Sequence, residues 1–459
     1  MSKMPPKHTT TPCDFYDRLR ALFLQFVQTI TTRRPQDFSR CRKLPLARLI
    51  VVLLSLVASG RDKGVDTKLS EFFTLARRSG LWPEGQSPHR SALSKARAKI
   101  PWPAFATLLG HVVALAYAVF PPREEYLWQG LSVFAFDGSK YHLPATEAVR
   151  QAFDPQSGLE HPGRGHYPQC LVTTVYDVFR RLPVGRTVCA LEEGDEREQA
   201  QQLLPLLPPN SLSLFDRGFP SYGFLHDLQQ HSRLYLMRCP ATSTFPAVEA
   251  FVRSGRAETR LWLTPSDTFK RSLTPAQRRT LAPIRLRAIR LEAPDGTVSV
   301  LLTNLVDVRR FPRAAISALY WRRWAVETHY RDEKTLQHIE QFHSHTPDGI
   351  RQELFAILIG CVIARTLTAL AVPSESIETA QSIVQPQLKN ALMSFAREAA
   401  LLTPAHPEKA LVILQELLNA IRQVKYYKPK HPRPSRPRVN KQPGNKWQSD
   451  RKKKLEKAA

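Results

Sequence analysis

Tyr320-Trp321-Arg322-Arg323-Trp324-Ala325-Val326-Glu327-Thr328-His329-Tyr330-Arg331-Asp332-Glu333-Lys334 is the stretch from which the rest of the chain can be read. Apolar and aromatic residues recur through it at helical spacing, and the pattern predicts a helix from Ala314 to Glu340, entered at Phe311-Pro312. At about 100° per residue, Tyr320, Arg323, Glu327 and Lys334 fall within an arc of about 60°. One face therefore carries a phenol, a guanidinium, a carboxylate and an ammonium. An acid flanked by cations suits a group that holds a metal while its neighbours bind phosphate. The same spacing also describes a surface helix laced by an Arg323–Glu327 pair. Asp332 and Glu333 lie off this face, and Asp332 is expected in solvent.

Upstream of this helix, residues from about 240 to 300 are strand-like and basic, with the clearest strands at Thr259 to Leu263, Ile284 to Leu291 and Val298 to Asn304. Further upstream the order is strand (Ser132 to Phe136), hairpin (Gln169 to Val178 and Pro183 to Leu191, joined at Arg180-Arg181), helix (Glu196 to Leu204), strand (Ser211 to Phe215), helix (Tyr222 to Gln230) and strand (Leu234 to Arg238). That alternation predicts an α/β core over 125–372, interrupted by a β-rich insertion at about 240–300. Residues 1–120 read as a helical domain whose basic residues Arg77, Arg78, Arg90, Lys95, Arg97 and Lys99 suit DNA binding or a solvated face. Residues 373–421 read as a C-terminal helical region. From Arg422 the chain is rich in proline and carries fourteen Lys or Arg against Asp450 and Glu456, which predicts a disordered basic tail drawn to DNA.

Two aspartates end apolar runs. Asp137 follows Val133-Phe134-Ala135-Phe136, and Asp216 follows Leu212-Ser213-Leu214-Phe215. An acid just past a strand stands at the carboxyl edge of a sheet, where α/β proteins build their sites. Gly138 and Gly218 fit a sharp chain exit, so a plain turn role is the alternative for either aspartate. Three carboxylates on separate elements, Asp137, Asp216 and Glu327, can hold two Mg2+ ions, with Mn2+ as a substitute. Ions about 4 Å apart activate a nucleophile and stabilise a leaving oxygen in phosphodiester chemistry.

Composition narrows the partners. The 459 residues carry 66 Lys and Arg against 40 Asp and Glu, a net charge of +26. That excess favours a polyanion, nucleic acid first. The apolar stretch Leu46 to Ala58 contains Arg48 and is shorter than the roughly 20 residues a membrane span needs, so no membrane is expected. Met1 to Asp14 is polar, without the apolar core of a secretory signal. The six cysteines form no CxxC pair, which argues against a zinc site and a disulfide framework and for the cytoplasm. No Gly-rich loop ending in Lys-Ser/Thr suggests ATP.

The quoted stretch resembles the Y-(2)-R-(3)-E-(6)-K signature of the DDE transposases of the insertion-sequence-four family, with all four signature positions matched. Phe136-Asp137-Gly138-Ser139 resembles the family's first-aspartate motif, and Leu214-Phe215-Asp216-Arg217-Gly218-Phe219 the second. Leu301-Leu302-Thr303-Asn304-Leu305 and Gly349-Ile350-Arg351-Gln352-Glu353-Leu354 are similar to its flanks, and the likeness runs from about Leu69 to Ala371. The resemblance implies a ribonuclease H-like core and cut-and-paste transposition at terminal inverted repeats of double-stranded DNA, through a hairpin intermediate and within a homodimer. It implies Asp137, Asp216 and Glu327 as metal ligands, with Tyr320, Arg323 and Lys334 on the end phosphates. Arg217 becomes a candidate DNA contact, or the partner of an acid. Trp262 becomes a candidate wedge for a flipped base, or a core residue of its strand. A metal nuclease that cuts without joining and a DNA-binding derivative without catalysis are the other readings; three intact carboxylates argue against the second of these.

Overall fold

A computed structural model describes residues 10–40, 43–59, 63–120, 123–158, 165–279, 281–292, 296–371 and 382–429. Its main sheet is built from β1 (Ser132–His142), β2 (Gln169–Asp177), β3 (Leu182–Ala190), β4 (Ser211–Phe215), β5 (Leu234–Pro240), β6 (Glu258–Leu263), β7 (Ile284–Glu292) and β8 (Val298–Thr303). The strand order is β3-β2-β1-β4-β5-β8-β7-β6. β1, β2 and β3 are antiparallel neighbours, whereas β4 runs parallel to β1 and β5 parallel to β4. The first five residues of β1 and all of β4 are buried. Strands covered on both faces need not alternate, which fits the apolar Val133–Phe136 run of β1, while in β4 Ser211 and Ser213 are buried along with their apolar neighbours.

The strands foreseen at 240–300 form, but they do not stand apart from the sheet. β8 pairs antiparallel with β5, β7 with β8, and β6 with β7. The stretch expected as an insertion lies between β5 and the glutamate helix in sequence, and its strands extend the sheet beyond β5. The far edge of β5 carries unpaired N–H and C=O groups, and β8 satisfies them. Three short helices between β5 and β7 (Pro246–Arg253, Asp267–Arg271 and Pro275–Arg279) were not foreseen.

The N-terminal helices Pro12–Thr29, Leu46–Ala58, Val65–Arg78, Arg90–Arg97 and Pro103–Val119 fall where expected. With the sheet they belong to one compact unit. Its axis is the 25-residue helix Pro347–Ala371, which packs on Pro103–Val119, Leu46–Ala58 and Leu388–Arg397. This helix is long and apolar enough to cross a membrane, yet most of it is buried by these neighbours. Arg97, counted above among basic residues of a DNA-facing surface, is buried. Its guanidinium donates to Gln352 (3.0 Å), Glu353 (2.9 Å) and the Gly349 carbonyl (2.8 Å), tying the Arg90–Arg97 helix to the axis. Arg77, Arg78, Arg90 and Lys95 are exposed. Arg422 lies inside the helix Pro407–Gln423, and Lys425–Pro429 pairs with Ser382–Pro386 in a separate two-stranded sheet. The tail read as disordered thus begins with ordered residues, and the rest of it, 430–459, lies outside the described residues.

The helix foreseen over 314–340 is helical but not uniform. It runs as Arg313–Tyr320, a 3-10 turn Trp321–Arg323, Trp324–Arg331 and a wide π turn Asp332–Leu336. Glu333 is not among the solvated residues: it is fully buried. Both its oxygens accept from Arg186 of β3 at 2.8 Å, the Tyr141 hydroxyl of β1 donates to it, and His329 stands 3.2 Å away. Burial pushes the Glu333 carboxyl up, but Arg186 and His329 outweigh it and hold the group down at about 2. A 3.6-residue projection places Glu333 on the helix but does not know that Arg186 lies beneath. Removing one member of a buried ion pair strands the other, so Glu333→Ala should cost about 3–5 kcal/mol of unfolding free energy in denaturant titrations. A loss under about 1 kcal/mol would mean that Arg186 is satisfied without it.

Candidate active site

The parallel register of β1 and β4 sets the first two acids. Ala135 pairs with Leu214, so Asp137, two residues further along β1, and Asp216, the first residue past β4, lie toward the same end of these neighbouring strands. Strand neighbours lie about 4.8 Å apart. β4 ends at Phe215, and Asp216 accepts the Gly218 N–H at 2.8 Å in a tight turn, as the Asp-x-Gly pattern suggested. Asp137 differs from its expectation. β1 continues through it to His142, Gly138 lies opposite Thr173 of β2, and no turn occurs there. Below the two acids the Phe136 and Phe215 rings stack at 5.0 Å.

The third acid arrives on the broken helix. Arg323 ion-pairs with Glu327, four residues on, and its Nη1 lies 3.5 Å from Asp137 Oδ1. Two tyrosines pin this helix to the sheet. Tyr330 donates to the carbonyls of Asp137 (2.7 Å) and Val172 (3.0 Å), and Tyr320 donates to the carbonyl of Phe215 (3.3 Å). The Tyr320 phenol, foreseen on DNA phosphates, is therefore buried and engaged next to Asp216. Lys334 donates to the Lys140 carbonyl, lies 3.6 Å from Glu340 and covers the Tyr141 ring at 4.4 Å.

The remaining candidates lie outside this cluster. Arg217 is exposed and, among the described residues, has no acid within ion-pair distance. Trp262 is on β6, four strand spacings from β4, or roughly 19 Å across the sheet. It is not a core residue: it is 57% exposed, with the Arg285 guanidinium 5.9 Å from its ring. β6 is the sheet's edge strand, and its burial alternates, with Leu261 and Leu263 inward and Arg260 and Trp262 outward.

Burial raises the Asp137 carboxyl to about 7, Arg323 opposes that rise, and Glu327, Asp216 and Glu196 add to it. Glu196, which the sequence reading did not name, is close enough to act on the Asp137 carboxyl. It opens the helix Glu196–Leu203, and its surroundings gave no linear signal beyond an acidic run. Asp137 and Glu327 thus flank the Arg323 guanidinium with Asp216 close by, while Glu196 also feels the positive charge of Arg197 and Lys140. Arg323 is only 8% exposed, and its Nη1 makes no hydrogen bond. An excess of hard oxygen donors around one cation fits Mg2+ or Mn2+ by donor chemistry. Among the described residues no three such groups converge at metal-holding distance, and Arg323 stands between Asp137 and Glu327.

Comparison with known proteins gives the following. Residues 128–363 match the family described as the transposase DDE domain. The chain is 24% identical over 348 residues to the transposase InsG for insertion sequence element IS4 of Escherichia coli (strain K12), covering 72% of this chain and 74% of that protein. A cryo-EM structure of a piggyBac transposase synaptic complex with hairpin DNA aligns over 98% of this chain and 92% of its own, with a TM-score of 0.40 and 10% identity.

The raised Asp137 carboxyl makes a signed prediction for the metal-free protein. The folded state holds this proton to about pH 7, whereas the unfolded chain releases it near 3.8. Stability is therefore full below about pH 4 and falls as pH rises to 7, because the folded state binds more protons across that window. In chelator, Asp137→Asn should raise stability at about pH 8 by at most about 4 kcal/mol and leave it unchanged near pH 4. Equal gains at both ends of a melting-temperature series would place the effect elsewhere.

Proposed function

Because the chain belongs to the DDE transposase family, we propose that it cleaves the ends of a DNA element and joins them to target DNA, with Asp137, Asp216 and Glu327 as its catalytic acids. The observation that carries this is the placement of Asp137 and Asp216 at the same end of neighbouring parallel strands, with Glu327 tethered to the first of them through Arg323. The block β1 to β5, with its acids on β1 and after β4, supports reading the core as ribonuclease H-like. Two Mg2+ ions, held by the three acids, would supply an activated water and stabilise the leaving oxygen.

The chain's own residues do the rest. Tyr320 and Tyr330 fix the helix against β4 and β1, so the acids keep their spacing. Arg323, Lys334 and the exposed Arg217 provide positive charge for the phosphates around the cut. Trp262, exposed at the sheet edge, is available to stack on a base turned out of the duplex if the freed 3′-OH closes a hairpin. The exposed cations of residues 1–120 and the basic sequence of the tail hold the flanking duplex, and synapsis of two ends calls for two copies of the chain. This reading sets the acting protein on DNA in the cytoplasm.

Duplexes bearing the element's ends, incubated with Mg2+ and target DNA, should be nicked and then joined through their 3′-OH ends. Cutting without joining would leave a nuclease. Asp137→Ala, Asp216→Ala and Glu327→Ala should each abolish cleavage while retaining end binding in gel shifts, and full cleavage by any one of them removes that residue from the site. Residues 430–459 contribute a net +9. Deleting them should weaken binding to unrelated DNA and flatten its dependence on salt concentration. An unchanged slope would show that the tail does not touch DNA.

A further inference from the structure

We propose that a cavity among the N-terminal helices binds one unpaired nucleotide, its base against Phe38 and its phosphate among Arg34, Lys95 and Lys99. None of these residues belongs to the carboxylate cluster, and the proposal stands apart from the cleavage reading.

The cavity, about 810 Å³, lies between residues 34–44 and the helix Arg90–Arg97. Small-molecule sites measure roughly 300–1,000 Å³. Five Lys or Arg line it, and among the described residues Asp37 is the one acid that does. Asp37 is already engaged. Its carboxylate accepts the Arg34 backbone N–H at 3.1 Å and lies 3.2 Å from Lys99 Nζ. Lys99 is thereby held in place, while Arg34 and Lys95, both exposed, leave the wall with a net positive charge. A basic surface that only faces water needs no such concavity.

Phe38 adds a second, independent feature. Its φ of +63° is in the left-handed region, an outlier for an aromatic residue. Such strain persists only where the surroundings over-determine it, and it gathers at ligand sites. Here the Arg33 N–H donates to the Lys99 carbonyl (3.0 Å), the Asp37 N–H to the Arg34 carbonyl (2.9 Å) and the Ser39 N–H to the Gln36 carbonyl (3.3 Å). The Arg33 side chain also pairs with Asp348 at the start of the axial helix. The turn so fixed sets the half-buried Phe38 ring on the cavity wall, with Lys99 Nζ 5.3 Å from its centroid. An aromatic ring beside ammonium and guanidinium groups matches the two halves of a nucleotide: bases stack on aromatic side chains, and phosphates pair with cations. Bases stacked inside a duplex cannot reach a ring set into a cavity. The ligand is therefore a nucleotide out of the duplex, within a single strand or free.

Deoxyadenosine 5′-monophosphate, titrated calorimetrically into the full-length protein in chelator, tests the assignment. It should bind at one site, with deoxyadenosine and inorganic phosphate each weaker by about tenfold or more, since each keeps only half of the contacts. Phe38→Asn should weaken the mononucleotide about tenfold, the size of a lost base–aromatic stack. Asn tolerates a positive φ, so the turn is kept. Lys95→Glu, a reversal at an exposed position, should weaken it similarly and decides the matter should Phe38→Asn not fold. Displacement of the mononucleotide by a short single-stranded oligonucleotide would identify the source as a DNA strand, and binding without such displacement would identify it as a free nucleotide. No binding, equal binding by inorganic phosphate, unchanged affinity in both variants, or equal displacement by a blunt duplex would each overturn the proposal.

Discussion

The Arg323 guanidinium, set between Asp137 on the sheet and Glu327 on the helix, is the interaction on which the site depends. Without it, two half-buried acids from separate elements would face each other with Asp216 and Glu196 close by, and mutual repulsion would push helix and sheet apart. At an effective dielectric near 20, one like-charged pair at 4 Å costs about 4 kcal/mol. Arg323 is held by covalent geometry as well as by charge. It lies one helical turn before Glu327, so any placement of one fixes the other. The two tyrosine hydroxyls then set the height of that turn against β1 and β4.

The same helix carries a second ionic layer on its inner side. His329 and Glu333 repeat the four-residue spacing of Arg323 and Glu327, but they face Arg186 in a space without solvent. Arg186 also donates to the Leu354 carbonyl at 2.8 Å, which joins the sheet, the broken helix and the long axial helix at one point. The outer pair is partly open and can exchange its partners. The inner set is fully buried, and breaking it is expensive. A helix anchored on one side and adjustable on the other suits a site whose charge must change when ions and phosphates arrive.

These two layers explain what was legible in the sequence. Asp137, Asp216 and Glu327 could be named because strand ends and helix phase are local properties, and most strand limits fall within a residue or two of those foreseen. What was missed depends on packing. The exposure foreseen for Arg97 failed because its acceptors are more than 250 positions away. Glu333 was set aside because helical phase says nothing about an arginine on β3. That the strands of the β-rich stretch pair onto β5 was not legible, because hydrogen bonding between β5 and β8 leaves no mark in either strand alone. Nor could the sequence say that the Tyr320 hydroxyl reaches the Phe215 carbonyl of β4.

Glu196 shows a subtler limit. Gly138 and Gly218 were read as turn glycines, the commonest reason for a glycine after an aspartate. Only one of the two aspartates begins a turn, and both glycines border a third acid. In a strand, a glycine is informative for the side chain it lacks, and the group that fills the vacated space can come from any element. Here it comes from the first helix after β3, whose start Arg197 clamps to the Asp216 turn. The chain is strongly basic as a whole, yet at this point Asp137, Glu327 and Asp216 stand around Arg323. A polyanion attracted by the body would be repelled by such a cluster, because like charges lose their screening as water is excluded.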